Sequence, residues 1–164
     1  MNDRTRNLSE EVGDLLKGGL SHVFSTMLTL EVTPAEVRSD WHAPGEMLVA
    51  GSVGFIGDVN GVVYIRVTAA FARKLAGRML GLAEAELEGD EMVNDVIGEL
   101  TNMVVGSVKS RLCDSDAPCV LTIPSIVRGQ NFQIEPGCSC ERRWLGFCCG
   151  ADHIVVELLM KRSA

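Results

Sequence analysis

Nowhere in the chain do about eighteen apolar residues run together, the length a membrane-spanning helix needs, and the first twenty residues are too polar for a secretory leader. The cytoplasm is the expected address. A basic excess is missing too: 15 Lys and Arg against 22 Asp and Glu leave a net charge of −7. Non-specific binding to nucleic acid or to an anionic membrane needs a basic patch, so both are disfavoured. A protein partner or a small ligand fits better. There is no internal repeat and no low-complexity segment. Gly51-Ser52-Val53-Gly54 lacks the lysine and the helix context of a phosphate-cradling loop. The three histidines, His22, His42 and His153, are scattered and suggest no catalytic order.

Metal-binding spacing is also lacking. The six cysteines, Cys113, Cys119, Cys138, Cys140, Cys148 and Cys149, contain no Cys-x-x-Cys pair of the kind a structural zinc site uses. They are confined to the C-terminal third of a chain long enough to fold without staples, and read as reduced thiols. On a strand, Cys138 and Cys140 would share a face, whereas adjacent Cys148 and Cys149 would point to opposite faces. With 164 residues and 46% hydrophobic content, the chain is expected to form one globular domain over 1–164 with a proper core.

Periodicity then divides the chain. Val12, Leu15, Leu16, Leu20, Val23, Phe24, Met27 and Leu28 recur at helical spacing behind Ser9, a candidate N-cap, and Thr33-Pro34 punctuates the end of that helix. Pro44-Gly45 marks a turn. Residues 47–67 read as two strands joined at Asn60-Gly61, the dipeptide of a type I′ turn. Thr68 caps a short helix with Phe71, Ala72, Leu75, Ala76 and Met79 inward and Arg73, Lys74 and Arg78 on its wetter side, ended by Gly81. An acidic connector over 84–91 leads to a long helix from the Asp90 cap to about Leu112. The remainder reads as β: 121–123, 132–134, a pair within 140–149 and 154–160, with a turn at Gly150-Ala151-Asp152. The order implies an α+β fold, an antiparallel sheet packed with helices.

On the long helix, Val93, Ile97, Leu100, Val104 and Val108 form one stripe, and Glu91, Asp95, Glu99, Asn102 and Gly106 form the opposite one. Asp95, Glu99 and Asn102 are spaced four and then three residues apart, so their side chains line up on the outer face. Solubility alone asks for polar residues there. The like-charged pair Asp95 and Glu99 nevertheless costs an isolated helix a few tenths of a kcal/mol, which suits a face awaiting a cation.

The run Asp95-x-x-x-Glu99-x-x-Asn102, with Pro124 some twenty residues on, resembles the signature of the CheC/CheX/FliY phosphatase family. The similarity extends to Val23-Phe24-Ser25-Thr26-Met27-Leu28, to Gly57-Asp58-Val59-Asn60-Gly61 and to the Ala-rich helix that follows. A single Glu-x-x-Asn copy resembles CheX, since CheC and FliY members carry two. The resemblance implies dephosphorylation of a CheY-like response regulator, with Glu99 and Asn102 catalytic and Asp95 and Pro124 contacting the partner; Gly106, on the same helix face, is expected to allow close approach of the partner's backbone. It implies no cofactor of the protein's own, Mg²⁺ being supplied in the regulator, and a homodimer, through strand pairing at a sheet edge. An asparagine oxygen can orient a water while staying neutral beside a phosphoryl group, whereas a carboxylate is better used on the regulator's lysine. Two alternatives stay open: a catalytically weak adaptor that binds a regulator or a deamidase-like partner, and a cysteine-based metal or redox sensor.

Overall fold

The computed structural model describes residues 3–114 and 116–163, with the side chains of 3–6 left aside. Its elements are α1 (Asp3–Leu28), β1 (Thr33–Ala35), β2 (Met47–Gly57), β3 (Val59–Thr68), α2 (Ala69–Leu80), a 3₁₀ turn (Glu84–Glu86), α3 (Glu91–Asp114), β4 (Cys119–Leu121), β5 (Ser125–Gln130), β6 (Glu141–Cys149) and β7 (Asp152–Arg162). The seven strands form one antiparallel sheet in the order β1-β6-β7-β3-β2-β4, with β5 also on β2. The α+β expectation holds.

One face of the sheet carries the helices. Val49, Val53 and Phe55 of β2, Val63, Ile65 and Val67 of β3, and Ile154, Val156, Leu158 and Met160 of β7 alternate toward that face, as the twofold period of a strand requires. They meet Val12, Leu16, Leu20, Val23, Phe24 and Leu28 of α1 and the buried side of α3 in one core. Within the α1 stripe, Leu15 is only partly buried and Met27 is 44% exposed.

Short-range signals translate directly. Thr68 accepts a hydrogen bond from the Phe71 N–H at 3.1 Å, and Gly81 closes α2 in the left-handed region at φ 67°. Several longer-range readings need correction. Ser9 is not an N-cap: α1 begins six residues earlier, at Asp3, and Ser9 is buried, its hydroxyl bonded to Glu141 and Arg143 across on β6. Thr33 and Pro34 do not merely end the helix but form an edge strand on β6. Asn60-Gly61 is not the turn. Both lie within β3, the reversal falls at Asp58, and Asn60 Oδ1 accepts from the Gly57 N–H at 3.1 Å. Glycine stands at 61 because the Phe55 ring on the paired strand occupies the space a Cβ would need. The strand expected at 132–134 is irregular chain, the one near 121–123 sits at Cys119–Leu121, and 140–149 holds a single strand instead of a pair. Strand β5, over Ser125–Gln130, is new.

The reverse face of the sheet holds an ion cluster. Glu157, at the middle of β7 and 1% exposed, lies 2.9 Å from Arg142 Nε and 3.5 Å from Arg66 Nη2. Arg66 also sits over the Phe132 and Trp144 rings, and Arg142 donates to the Ile134 carbonyl. The irregular 131–140 segment is thereby fastened to the sheet.

Candidate functional site

Helix α3 is gripped around most of its circumference. Beyond the expected stripe of Val93, Ile97, Leu100, Val104 and Val108, it also buries Val96, Gly98, Thr101, Val105 and Leu112. Two glycines allow this. A Cβ at Gly51 would collide with the Thr101 hydroxyl, so α3 lies directly on the backbone of β2, and a Cβ at Gly19 would collide with Ser107, so α1 closes on α3 from the side. Near its N-terminus, Asn94 Oδ1 accepts from Arg128 Nε of β5, and Arg128 Nη1 lies 3.6 Å from Asp90. The Arg128 tie went unseen in the sequence because β5 did.

Burial on two sides leaves a narrow ridge. Glu91, Asp95 and Glu99 are exposed along it, and Asn102 and Gly106 are half-buried. From Asp95 to Asn102 the ridge advances about 10 Å. Asn94, Thr101, Ser107 and Ser110 of the same helix all have hydrogen-bond partners. Among the described residues, Asp95, Glu99 and Asn102 have neither a hydrogen bond nor an ion pair through their side chains. Their bonding capacity is unspent, on a helix that cannot easily shift. A Cβ at Gly106 would meet no atom within 4 Å, so that position leaves open room beside the ridge.

Pro124 arrives next to the ridge by a break in the sheet edge. Phe55 pairs with Leu121, and Ser52 pairs with Ser125, so Val53 and Gly54 of β2 stand opposite three residues, Thr122, Ile123 and Pro124. This is a β-bulge, a device that re-aims side chains. Thr122 secures it: its N–H donates to the Gly54 carbonyl at 2.9 Å, and its hydroxyl accepts from the Gly54 N–H at 2.8 Å. Pro124 then packs over Gly98, its Cβ 3.4 Å from where a Cβ at that position would stand. All five sequence-predicted residues therefore belong to α3 or border it. The bulge itself left no local signal beyond Ile123-Pro124 breaking the strand alternation.

The other candidate chemistry lies elsewhere. A cleft of about 740 Å³ beside α2, lined by Phe71, Lys74, Arg78, Cys149 and Asp152 among others, includes none of the ridge. His153 stacks on Trp41 with ring centroids 4.4 Å apart, and His22 is exposed on α1. Among the described residues no group of three His, Cys, Asp or Glu side chains could hold a metal, and no helix is long and apolar enough to cross a membrane. All six cysteines are free. Cys149 is buried and Cys148 half-buried, on opposite sides of β6, while Cys138 and Cys140 lie outside any strand. Burial pushes the Cys119, Cys140 and Cys149 thiols up from their ordinary value, away from the reactive thiolate. Alkylation followed by mass spectrometry should therefore label exposed Cys113 and Cys138 first and reach Cys119 and Cys149 only on unfolding. Uniform labelling of all six in the native state would contradict this packing.

Comparison with known proteins adds to the geometry. The family model described as chemotaxis phosphatase CheX matches residues 49–148, a span that includes the whole ridge and Pro124. Among solved structures, the chemotaxis protein CheX of Vibrio vulnificus is 27% identical, with a TM-score of 0.77 over 92% of this chain and 97% of that one. A CheC-like superfamily protein of Shewanella sp. PV-4 is 25% identical, with a TM-score of 0.76 over 98% and 99%. The CheX–CheY–BeF₃–Mg²⁺ complex of Borrelia burgdorferi matches at 20% identity and a TM-score of 0.70, over 91% of this chain and 97% of that one. At that identity it supports the fold alone. No curated relative matches.

Proposed function

The chain belongs to the CheX family of chemotaxis phosphatases, and on that premise we propose that it hydrolyses the aspartyl phosphate of a CheY-like response regulator. The observation that carries the proposal is the ridge: a carboxylate and an amide, three residues apart on a helix locked between α1 and the sheet, with no side-chain partner among the described residues. Phosphoryl transfer depends on positioning and charge stabilisation more than on covalent help from protein groups. Such a ridge suits insertion into a regulator's shallow phosphorylation site, because helices hold geometry better than loops do.

In this reading the Asn102 side-chain oxygen accepts a hydrogen bond from a water and holds it in line with the phosphorus. The water oxygen forms the new P–O bond, the bond to the regulator's aspartate breaks, and free carboxylate and inorganic phosphate leave. Glu99 pairs with the regulator's lysine and sets the register. Asp95 extends the acidic end of the contact, the open space at Gly106 admits partner backbone, and Pro124 forms the lateral wall. Mg²⁺ belongs to the regulator, in keeping with the magnesium-loaded CheX–CheY complex from Borrelia.

The test is phosphatase kinetics at varied regulator concentration. Glu99→Ala should raise the regulator concentration needed for half-maximal rate and also lower the maximal rate, together about tenfold or more, in line with loss of a charge-assisted contact. An unchanged concentration dependence would count against its docking role.

A further inference from the structure

The sheet edge exposes large apolar side chains. Ile123 is 85% exposed; Val120 at 70% and Ile56 at 58% pair across β2 and β4 but, one residue out of step with buried Phe55 and Cys119, point to the face of the sheet away from the helices. Ile123 is not at the tip of a loose loop. It is the middle residue of the bulge, tied on one side by the two Thr122 hydrogen bonds to Gly54 and on the other by Pro124 packed over Gly98 of α3. Gly98 immediately precedes Glu99, so the bulge sets Ile123 beside the ridge.

Leaving an isoleucine in water while fixing its backbone at both ends wastes burial that the fold could have used. Its β-branched side chain has little rotamer freedom to lose on binding. We propose that Ile123 is an apolar docking anchor for the response regulator, inserting beside the phosphorylation site while Glu99 and Asn102 engage the phosphoryl group and its lysine. The inference rests on the phosphatase reading for the partner's identity. It assigns Ile123 to positioning. The acidic ridge beside an exposed isoleucine fits a partner surface that presents a lysine next to an apolar hollow.

The experiment measures binding and turnover together, with a CheY-like regulator of the same cell, beryllofluoride- and Mg²⁺-loaded for affinity and phosphorylated for rate. Ile123→Ser should weaken binding by roughly 10- to 100-fold, as the burial of one aliphatic side chain implies. It should raise KM similarly, with kcat at saturation and thermal midpoint retained. Ile123→Val should restore most of the affinity, and Leu80→Ser, at an exposed apolar residue on α2, should change nothing. An Ile123→Ser affinity within about twofold of wild type would overturn the proposal. So would a change in oligomeric mass of Ile123→Ser without regulator, which would give this edge to a second copy of the chain. If the wild type binds the regulator without accelerating its decay, the phosphatase reading falls and the Ile123→Ser affinity still decides the anchor. If it does not bind at all, both fall.

Discussion

Asn102→Ala should reduce the accelerated decay of a phosphorylated regulator by about 100-fold or more, the scale on which loss of precise positioning acts, while the protein remains folded. The two halves of that result have separate physical grounds. Activity should fall because alanine has no oxygen for the proposed contact with water. Stability survives because Asn102 is half-buried and its side chain has no hydrogen-bond partner among the described residues. Alanine is also the better helix former by roughly 0.5 kcal/mol, so the thermal midpoint should stay level or rise slightly. Regulator affinity should change little, since Glu99 and Ile123 remain. A variant that loses rate only by unfolding would leave the role of Asn102 unsupported, and one that keeps its rate would remove it.

Glu157→Ala should destabilise the protein by about 3–5 kcal/mol, the usual cost of removing one partner from a buried ion pair. Two guanidinium groups, Arg66 and Arg142, would lose their carboxylate while packed among Phe132 and Trp144. Glu157→Gln separates charge from shape. Burial pushes the Glu157 carboxyl above its ordinary value, and the attraction of Arg142 and then Arg66 opposes this without reversing it. A carboxyl whose pKa is raised in the folded state contributes its full stability below the unfolded pKa and loses it as pH rises through the folded one. Any advantage of wild type over Glu157→Gln should therefore shrink as pH rises across and above the carboxylate range, measured by urea unfolding at several pH values. An advantage that grows instead would mean that the two arginines outweigh the desolvation.

The features legible in the sequence are those set within a few residues. Both ends of α2 follow from Thr68 and Gly81, and the ridge follows from the four-and-three spacing of Asp95, Glu99 and Asn102, because one helix fixes all of these geometries. What the sequence concealed depends on residues far apart in the chain. Ser9 resembles a cap until its hydroxyl meets Glu141 and Arg143, more than 130 positions away. Gly61 resembles a turn glycine until Phe55 is seen to occupy its Cβ space. Glu157 sits in an alternation that would ordinarily place an acid in water, and only pairing with neighbouring strands brings both arginines to it. Strand β5 is concealed by its own composition: Ser-Ile-Val-Arg-Gly-Gln has no apolar alternation and buries no residue fully.

Resemblance, more than composition, first distinguished the ridge from an ordinary wet helix face. The structure adds a physical reason to single it out: α3 is buried around most of its girth, fastened by Gly51, Gly19 and Arg128, and Asp95, Glu99 and Asn102, without side-chain partners among the described residues, fall on one narrow line. A helix retained only for solubility has no need of such rigid support. Pro124 and Ile123, delivered by the same bulge, extend that line sideways into an asymmetric surface with an acidic part and an apolar part.

The most direct measurement is the decay of a phosphorylated CheY-like regulator from the same cell in Mg²⁺, alone, with the wild-type protein and with Asn102→Ala. The account predicts acceleration by the wild type that grows with its concentration and is lost in the folded variant. Equal decay in all three, with binding demonstrated, would contradict it and leave an adaptor that engages the regulator without hydrolysing its phosphate.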